Sequence, residues 1–460
     1  MDGLTCKLLI IGAGPGGYVC AIRAGQLGID TIVVDPQKPG GTCLNVGCIP
    51  SKALIHAADE FHRLGAFGGA NPLGISASQP RIDLGRTVAW KDGIVQRLNS
   101  GVAGLLKKAK VSLVEGHAEI VDGKTVTVTT ADGPVRIVTE NLVIATGSAP
   151  AELPILPFGG DVLSSTQALS LHDVPASLTV VGGGYIGLEL GIAFRKLGSA
   201  VTVIEAASQM LPVYDAELVR PVSQRLDALG IRVLTNSRAS GRAEDGSLLV
   251  EADGKVERIV AEKILVTVGR RPRTDGFNLE SLRLTMEGRF IRIDAACRTS
   301  MRGVFAIGDV TGEPMLAHRA MAQGEMVAEI VAGHRQEWDR RCIPAVCFTD
   351  PEVVSAGALP QEVEGIDTVT GLFPFQANGR AMATGREDGF VRVIARKDNH
   401  VLLGIQAVGA GISELSASFA LAIEAGLRLE DIAGTIHAHP TQGEAFQEAA
   451  LRSLGRSLHI

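Results

Sequence analysis

The clearest hydrophobic pattern in the chain is a short apolar run closed by glycines. Lys7-Leu8-Leu9-Ile10-Ile11 predicts a buried strand. Gly12-Ala13-Gly14-Pro15-Gly16-Gly17 follows, and a helical stretch then runs from about Tyr18 to Leu27. A second apolar run, Thr31-Ile32-Val33-Val34, ends at Asp35. Strand, glycine turn, helix, strand and acid make a dinucleotide-binding βαβ unit. Gly12 permits the tight turn, Gly14 lets the backbone approach a pyrophosphate, and Gly17 lets helix and strand pack closely. The helix N-terminus offers free N–H groups to phosphates. Asp35 is placed to accept from ribose hydroxyls.

The pattern recurs. Leu178-Thr179-Val180-Val181 leads into Gly182-Gly183-Gly184-Tyr185-Ile186-Gly187, a helical run to about Leu197, and Val201-Thr202-Val203-Ile204 ending at Glu205. From first glycine to acid the distance is 35 − 12 = 23 in the first unit and 205 − 182 = 23 in the second. With 55 glycines in 460 residues, about 0.8 bare matches to the glycine motif arise by chance, so the flanks carry the inference. Two complete units at one spacing predict two bound dinucleotides in two doubly wound domains. Glu205 accepts from ribose hydroxyls but repels a 2′-phosphate. Ala206 to Gln209 follow it, with no cation before Arg220, which points to NAD over NADP.

Chemistry beyond nucleotide binding starts at Cys43-Leu44-Asn45-Val46-Gly47-Cys48. Two cysteines five apart can bond across one turn. Pro50 suits the first turn of a helix running to about Arg63. Cys48 then stands at a helix N-terminus, where the dipole stabilises a thiolate. That is the pattern of an active dithiol; the bland alternative is two unrelated core thiols. No second Cys or His pair lies at ligand spacing, so no metal is expected.

Composition narrows the picture. Seven dispersed cysteines suit a reducing compartment, the cytoplasm, rather than a disulfide scaffold. The net charge of −6 and the 4% aromatic content argue against nucleic-acid binding. Met1 to Lys7 lacks a basic region followed by an apolar one, and no apolar run suits a membrane span or export signal.

These residues together resemble the flavin-dependent pyridine nucleotide–disulfide oxidoreductases, over the whole chain. Further landmarks are Gly41-Thr42-Cys43 to Lys52, Ala145 to Ser148, Val268 to Pro272, Ala306 to Asp309, and His437 to Glu444. The resemblance implies an α/β fold with two Rossmann-like domains and a C-terminal α+β dimerisation domain. It divides the chain into an FAD domain at 1–147, an NAD domain at 148–271, a central domain at 272–342 and an interface domain at 343–460. Antiparallel strands are expected at Phe390–Ile394 and Leu402–Gln406, and a helix from about Ala317 to Ala332.

The resemblance also implies the site. FAD would touch Gly12, Gly14, Gly17, Asp35, Gly41, Thr42, Lys52, backbone near Ala118, Thr146, Gly147, Ser148, Asp309, Met315, Leu316, Ala317 and His318. NAD would touch Gly182, Gly184, Tyr185, Ile186, Gly187, Glu189, Glu205, Gly269 and Arg270. Lys52 would lie beside the flavin N5 and pair with Glu189. His439, oriented by Glu444, would deprotonate a substrate thiol, which then attacks Cys43. Cys48 would pass electrons to the flavin, which reduces NAD. His439 and Glu444 would serve the dithiol of the other chain in a homodimer. Two departures from the family pattern are Gly443, where Ser is expected in many relatives, and Asp35 in place of Glu.

Within the family, the chain looks closest to the branch that oxidises protein-bound dihydrolipoamide with NAD. That branch takes its substrate from the lipoyl domain of a 2-oxo acid dehydrogenase complex acyltransferase. The stretch from Met315 to Ile330 looks closest to forms serving branched-chain 2-oxo acids. Glutathione-type reductases would use NADPH, against Glu205. Mercuric-type reductases would need a further C-terminal cysteine, and none follows Cys347. A non-catalytic flavoprotein subunit would not need Cys43, Cys48, His439 and Glu444 together.

Overall fold

Both βαβ units form where the apolar runs place them. In the computed structural model, which describes residues 3–460, Leu4–Ile11 and Thr31–Asp35 pair in parallel across helix α1 (Pro15–Gln26). Met1 and Asp2, where the N-terminal reading begins, lie outside the described residues. Pro15 occupies the first turn of α1, so the helix starts three residues before Tyr18; the ring's fixed φ suits that position. Gly12 has φ +104° and Gly182 +108°, a turn conformation open to glycine.

The first sheet continues with Ser112–Glu115 beside Thr31–Asp35 and Gly133–Ile144 beside Leu4–Ile11. Thr125–Thr130 and His117–Asp122 extend it antiparallel. Two helices bearing on the site follow the unit, α2 (Gly41–Val46) and α3 (Cys48–Ala66); α4 (Leu84–Lys108) packs on α3. Cys43 thus sits in a short helix of its own, and α3 runs three residues past Arg63.

After the one-turn helix α5 (Ser165–Ala168), the second sheet repeats the plan. Ser177–Val181 and Ala200–Ile204 pair in parallel around α6 (Tyr185–Leu197), flanked by Arg232–Leu234 and Lys263–Val266. Helix α7 (Ala216–Ala228) lies between Ala200–Ile204 and Arg232–Leu234 in the chain. The segment 272–342 returns to the first sheet: Val304–Ala306 pairs with Gly133–Ile144, and α8 (Ala317–Val331) lies against α1. Their contact is close, since a Cβ on Gly324 would sit 2.3 Å from the Gly16 carbonyl oxygen.

The last part is α+β. Ala345–Cys347, Glu352–Gly357, Leu402–Gly409, Phe390–Arg396 and Thr368–Pro374 form one antiparallel sheet in that order. Phe390 faces Val408 in a core shared with α6 and α7, while the opposite face of the two strands, with Val391, Val393, Ile405 and Ala407, feeds a core shared with Phe419 and Phe446. Helices α9 (Gly379–Thr384), α10 (Ser416–Glu424), α11 (Leu429–Gly434) and α12 (Glu444–Ser453) complete it. Among the described residues, no helix is long and apolar enough to cross a membrane.

Charge fastens these parts together. On α3 and α6, Lys52 pairs with Glu189 at 2.8 Å and Asp59 with Lys196 at 2.5 Å. Both steps are seven residues, about two helical turns, so the pairs form two rungs. Asp350, from the C-terminal part, closes the second rung: its carboxylate meets Lys196 at 2.7 Å, Arg225 at 3.0 Å and Arg386 at 2.5 Å. Burial alone would raise the Asp350 pKa; the three cations outweigh it and hold the carboxyl well below the usual carboxylate range. Its stabilising effect is therefore present above about pH 4 and is lost as pH falls through the depressed value. We predict that Asp350→Asn lowers stability at pH 7 by about 3 kcal/mol, because three cations lose their shared partner. Thermal unfolding should show this loss shrinking below about pH 4; an unchanged melting temperature at pH 7 would contradict it.

Candidate active site

Two clefts form where the βαβ turns predict them, and they meet. The first is lined by Gly12, Gly14, Asp35, Gly41, Thr42, Cys43, Cys48, Lys52, Thr146, Gly147, Ser148, Asp309, Met315 and Ala317, among others. The second is lined by Gly182, Gly184, Tyr185, Ile186, Glu205, Gly269 and Arg270. Tyr185, Ile186, Arg270 and Met315 line both, so they form the junction.

The clefts share one hydrogen-bond plan. Asp35 accepts from the Ala13 amide at 2.6 Å and the Gln37 amide at 2.8 Å. Glu205 accepts from the Gly183 amide at 2.7 Å and the Ala207 amide at 2.7 Å. Each acid is thus fixed against its glycine turn. Burial raises the Asp35 pKa, opposed by these amides and by Arg273. At Gly14 and Gly184, the N-caps of α1 and α6, no side chain caps the helix. The first amides of both helices are free for phosphate oxygens. Both clefts therefore fit a dinucleotide.

Several expected contacts fall elsewhere. Gly17 and Gly187 line neither cleft; a Cβ would sit 1.9 Å from the Gly12 oxygen and 2.2 Å from the Gly182 oxygen, so both serve helix–strand packing. Ala118 is buried in the first core, in a strand paired with Thr125–Thr130, and lines no cleft. Leu316 lines the second cleft rather than the first. His318 lines neither, and its Nε2 bonds the Pro344 carbonyl at 2.8 Å. Glu189 lines the first cleft, not the second, because its partner is Lys52.

Three residues escaped the sequence reading. Arg273 lines the first cleft on the side of Asp35, and its position just after Arg270-Arg271-Pro272 was the available signal. Arg238 lines the second cleft with Glu205, brought back by the strand Ser237–Arg242. Phe348 touches the Lys52–Glu189 pair and carried no sequence signal.

Cys43 and Cys48 line the first cleft. Cys48 is the first residue of α3. A hydrogen bond from Cys43 is the main cause of its lowered pKa, about 7; Lys52 also lowers it, against burial and Glu189. The same hydrogen bond and burial push the Cys43 thiol up. One thiolate is thus favoured, at Cys48. Arg270 Nε donates to Ser148 Oγ at 2.8 Å, and Ser148 donates to Asp309, which ties the junction to the first cleft.

His439 and Glu444 lie apart from both clefts. His439 Nδ1 pairs with Glu444 Oε1 at 2.8 Å, and the Thr441 amide donates to Oε2 at 2.7 Å. Burial would raise the Glu444 pKa, but the Thr441 amide and the His439 ring pull it down. The His439 side chain is 80% exposed.

This geometry is that of a two-nucleotide disulfide oxidoreductase. The family model described as pyridine nucleotide-disulphide oxidoreductase matches residues 6–324, its dimerisation-domain model matches 343–450, and the chain belongs to this family. A dihydrolipoyl dehydrogenase of Pseudomonas aeruginosa is 58% identical over 460 residues, 99% of each chain. One from Geobacillus stearothermophilus is 46% identical over 463 residues, 99% of this chain and 98% of that one. Within the family, the chain falls among the dihydrolipoyl dehydrogenases. The solved structure of LpdA from Mycobacterium tuberculosis superposes with a TM-score of 0.89 at 27% identity, covering 97% of this chain and 99% of that one.

The thiol pair generates a prediction. A thiol lowered to about 7 keeps its anion down to about that pH and is protonated below it. Iodoacetamide alkylation of the reduced protein should therefore show a midpoint near pH 7. The midpoint should survive in Cys43→Ser, which keeps a hydroxyl donor, and vanish in Cys48→Ser. A midpoint unaffected by Cys48→Ser would reverse the assignment.

Proposed function

We propose that the protein oxidises dihydrolipoamide to lipoamide and reduces NAD, with FAD in the first cleft and NAD in the second. The observation that carries this reading is the dithiol opening into one nucleotide cleft that joins another at Tyr185 and Arg270. FAD, held by Gly12, Gly14, Asp35, Gly41, Thr42, Thr146 to Ser148 and Asp309, supplies a two-electron carrier between thiols and nicotinamide. Lys52, which lines the same cleft, sets a positive charge near Cys48 and would present it to the bound carrier. NAD is held at Gly182, Gly184 and Glu205. A 2′-phosphate would meet the Glu205 carboxylate, although Arg238 stands in the same cleft.

The reaction balances in two halves. The substrate's two thiols reduce the Cys43–Cys48 disulfide, leaving lipoamide and two enzyme thiols. Reoxidation of those thiols delivers two electrons and one proton to NAD as hydride, and releases one proton. His439 accepts the substrate's thiol proton, with Glu444 orienting the ring through the contact at Nδ1. The substrate thiolate attacks Cys43, and Cys48 leaves as the stabilised thiolate.

We further propose a homodimer in which His439 and Glu444 of each chain complete the partner's dithiol site. Neither residue lines a cleft of its own chain, and Ile436 beside them is 95% exposed. A base supplied across a two-fold axis gives two equal sites. The physiological substrate is a lipoyl domain of a 2-oxo acid dehydrogenase complex acyltransferase. Seven dispersed cysteines suit the cytoplasm.

Variants at both clefts test this reading. His439→Gln should slow dihydrolipoamide oxidation by about 10²- to 10⁴-fold and spare electron transfer from NADH to an artificial acceptor, which bypasses the thiols. Mixing Cys43→Ser chains with His439→Gln chains should restore one working site per heterodimer. No recovery, with heterodimers confirmed by mass, sinks the shared site. For the second cleft, Glu205→Ala should raise the KM for NAD roughly tenfold or more. Equal use of NAD and NADP by the unmodified protein would refute that assignment.

A further inference from the structure

Glu189 carries its charge almost wholly out of water, at 4% exposure, so both oxygens need partners. Lys52 meets Oε2 at 2.8 Å. The Phe348 backbone amide donates to Oε1 at 2.9 Å. The ring of the same residue faces the other ion: Lys52 Nζ lies 4.4 Å from its centroid, within cation–π range. Phe348 thus touches both members of the pair, and it comes from the loop between Ala345–Cys347 and Glu352–Gly357. That loop is itself fixed. Thr349 Oγ1 donates to the Pro351 carbonyl at 2.6 Å, and Asp350 binds Lys196, seven residues along α6 from Glu189.

We propose that Phe348 is a positioning residue for the dithiol: its amide orients Glu189, and its ring holds the Lys52 ammonium facing Cys48. The inference rests on the reading of the first cleft given above. A lysine side chain has four rotatable bonds, and one carboxylate contact leaves much of that freedom. A ring face 4.4 Å from the ammonium restricts the stem further. The charge then stays in the placement where it acts on Cys48. The other titratable groups around Cys48 are Cys43 on α2 and Glu189 and Tyr185 on α6. In the proposed dimer the partner's His439 also faces this site; Lys52 is the cation supplied by the same helix as Cys48, so its placement sets how much thiolate Cys48 holds.

The test uses holoenzyme in a Cys43→Ser background, which leaves one thiol against oxidised flavin. The pH midpoint of the thiolate–flavin charge-transfer band is measured with Phe, Leu and Tyr at 348. Phe348→Leu keeps the amide and apolar bulk but removes the ring face. Its midpoint should rise by about 0.5 to 1 pH unit, a roughly 3- to 10-fold loss of thiolate at fixed pH. Phe348→Tyr should restore the original midpoint. If Phe348→Leu does not hold FAD, Phe348→Met carries the same expectation. Alkylation rates of Cys48 in the same variants should follow the band. An unchanged midpoint in the aliphatic variants, or failure of Phe348→Tyr to restore it, overturns the inference alone. A Cys43→Ser protein with bound FAD and no band at any pH overturns the reading of the cleft, and this inference with it.

Discussion

A buried carboxylate at the crossing of α3 and α6 constrains everything around it. A carboxylate at 4% exposure needs hydrogen-bond partners, and those of Glu189 come from the first nucleotide unit and from the C-terminal part. The Lys52 it holds acts on Cys48, at the start of the same helix. One helix thus carries the thiol, its cation and, at Asp59, the beginning of the second rung. Lys196 and Asp350 complete that rung with charges of opposite sense. The arrangement ties the redox group to the relative placement of all three parts of the chain.

Much of this was legible because its causes are local. A strand, a glycine turn, a helix and an acid lie within about 30 residues, and a turn that leaves no room for Cβ demands glycine at a fixed place. The two acids turn out to be held by the same pair of amides, one after the first glycine and one two residues beyond the acid. The dithiol was legible for the same reason: spacing and a helix start lie within a few residues.

What stayed hidden depends on packing between distant segments. Arg238 reaches the second cleft only because Ser237–Arg242 follows the edge of the second sheet. Phe348 meets Glu189 through its backbone amide and Lys52 through its ring, contacts that depend on where its loop packs and that no local pattern announces. The side chains of Ala118 and His318 are placed by the converse effect: the first core buries the Ala118 methyl, and the Pro344 carbonyl engages His318. His439 and Glu444 could be recognised as a pair, yet a single chain leaves the His439 side chain exposed, and neither residue lines the cleft that holds Cys43 and Cys48.

The central claim is that electrons pass from substrate thiols through Cys43 and Cys48 to NAD. An anaerobic titration of the holoenzyme with dihydrolipoamide, followed by NAD, tests it most directly. The account predicts that two electrons per site produce a thiolate–flavin charge-transfer band, absent in Cys48→Ser, and that NAD then yields one NADH per site as the band decays. Equal NADH formation from dihydrolipoamide in a chain lacking both cysteines would contradict it.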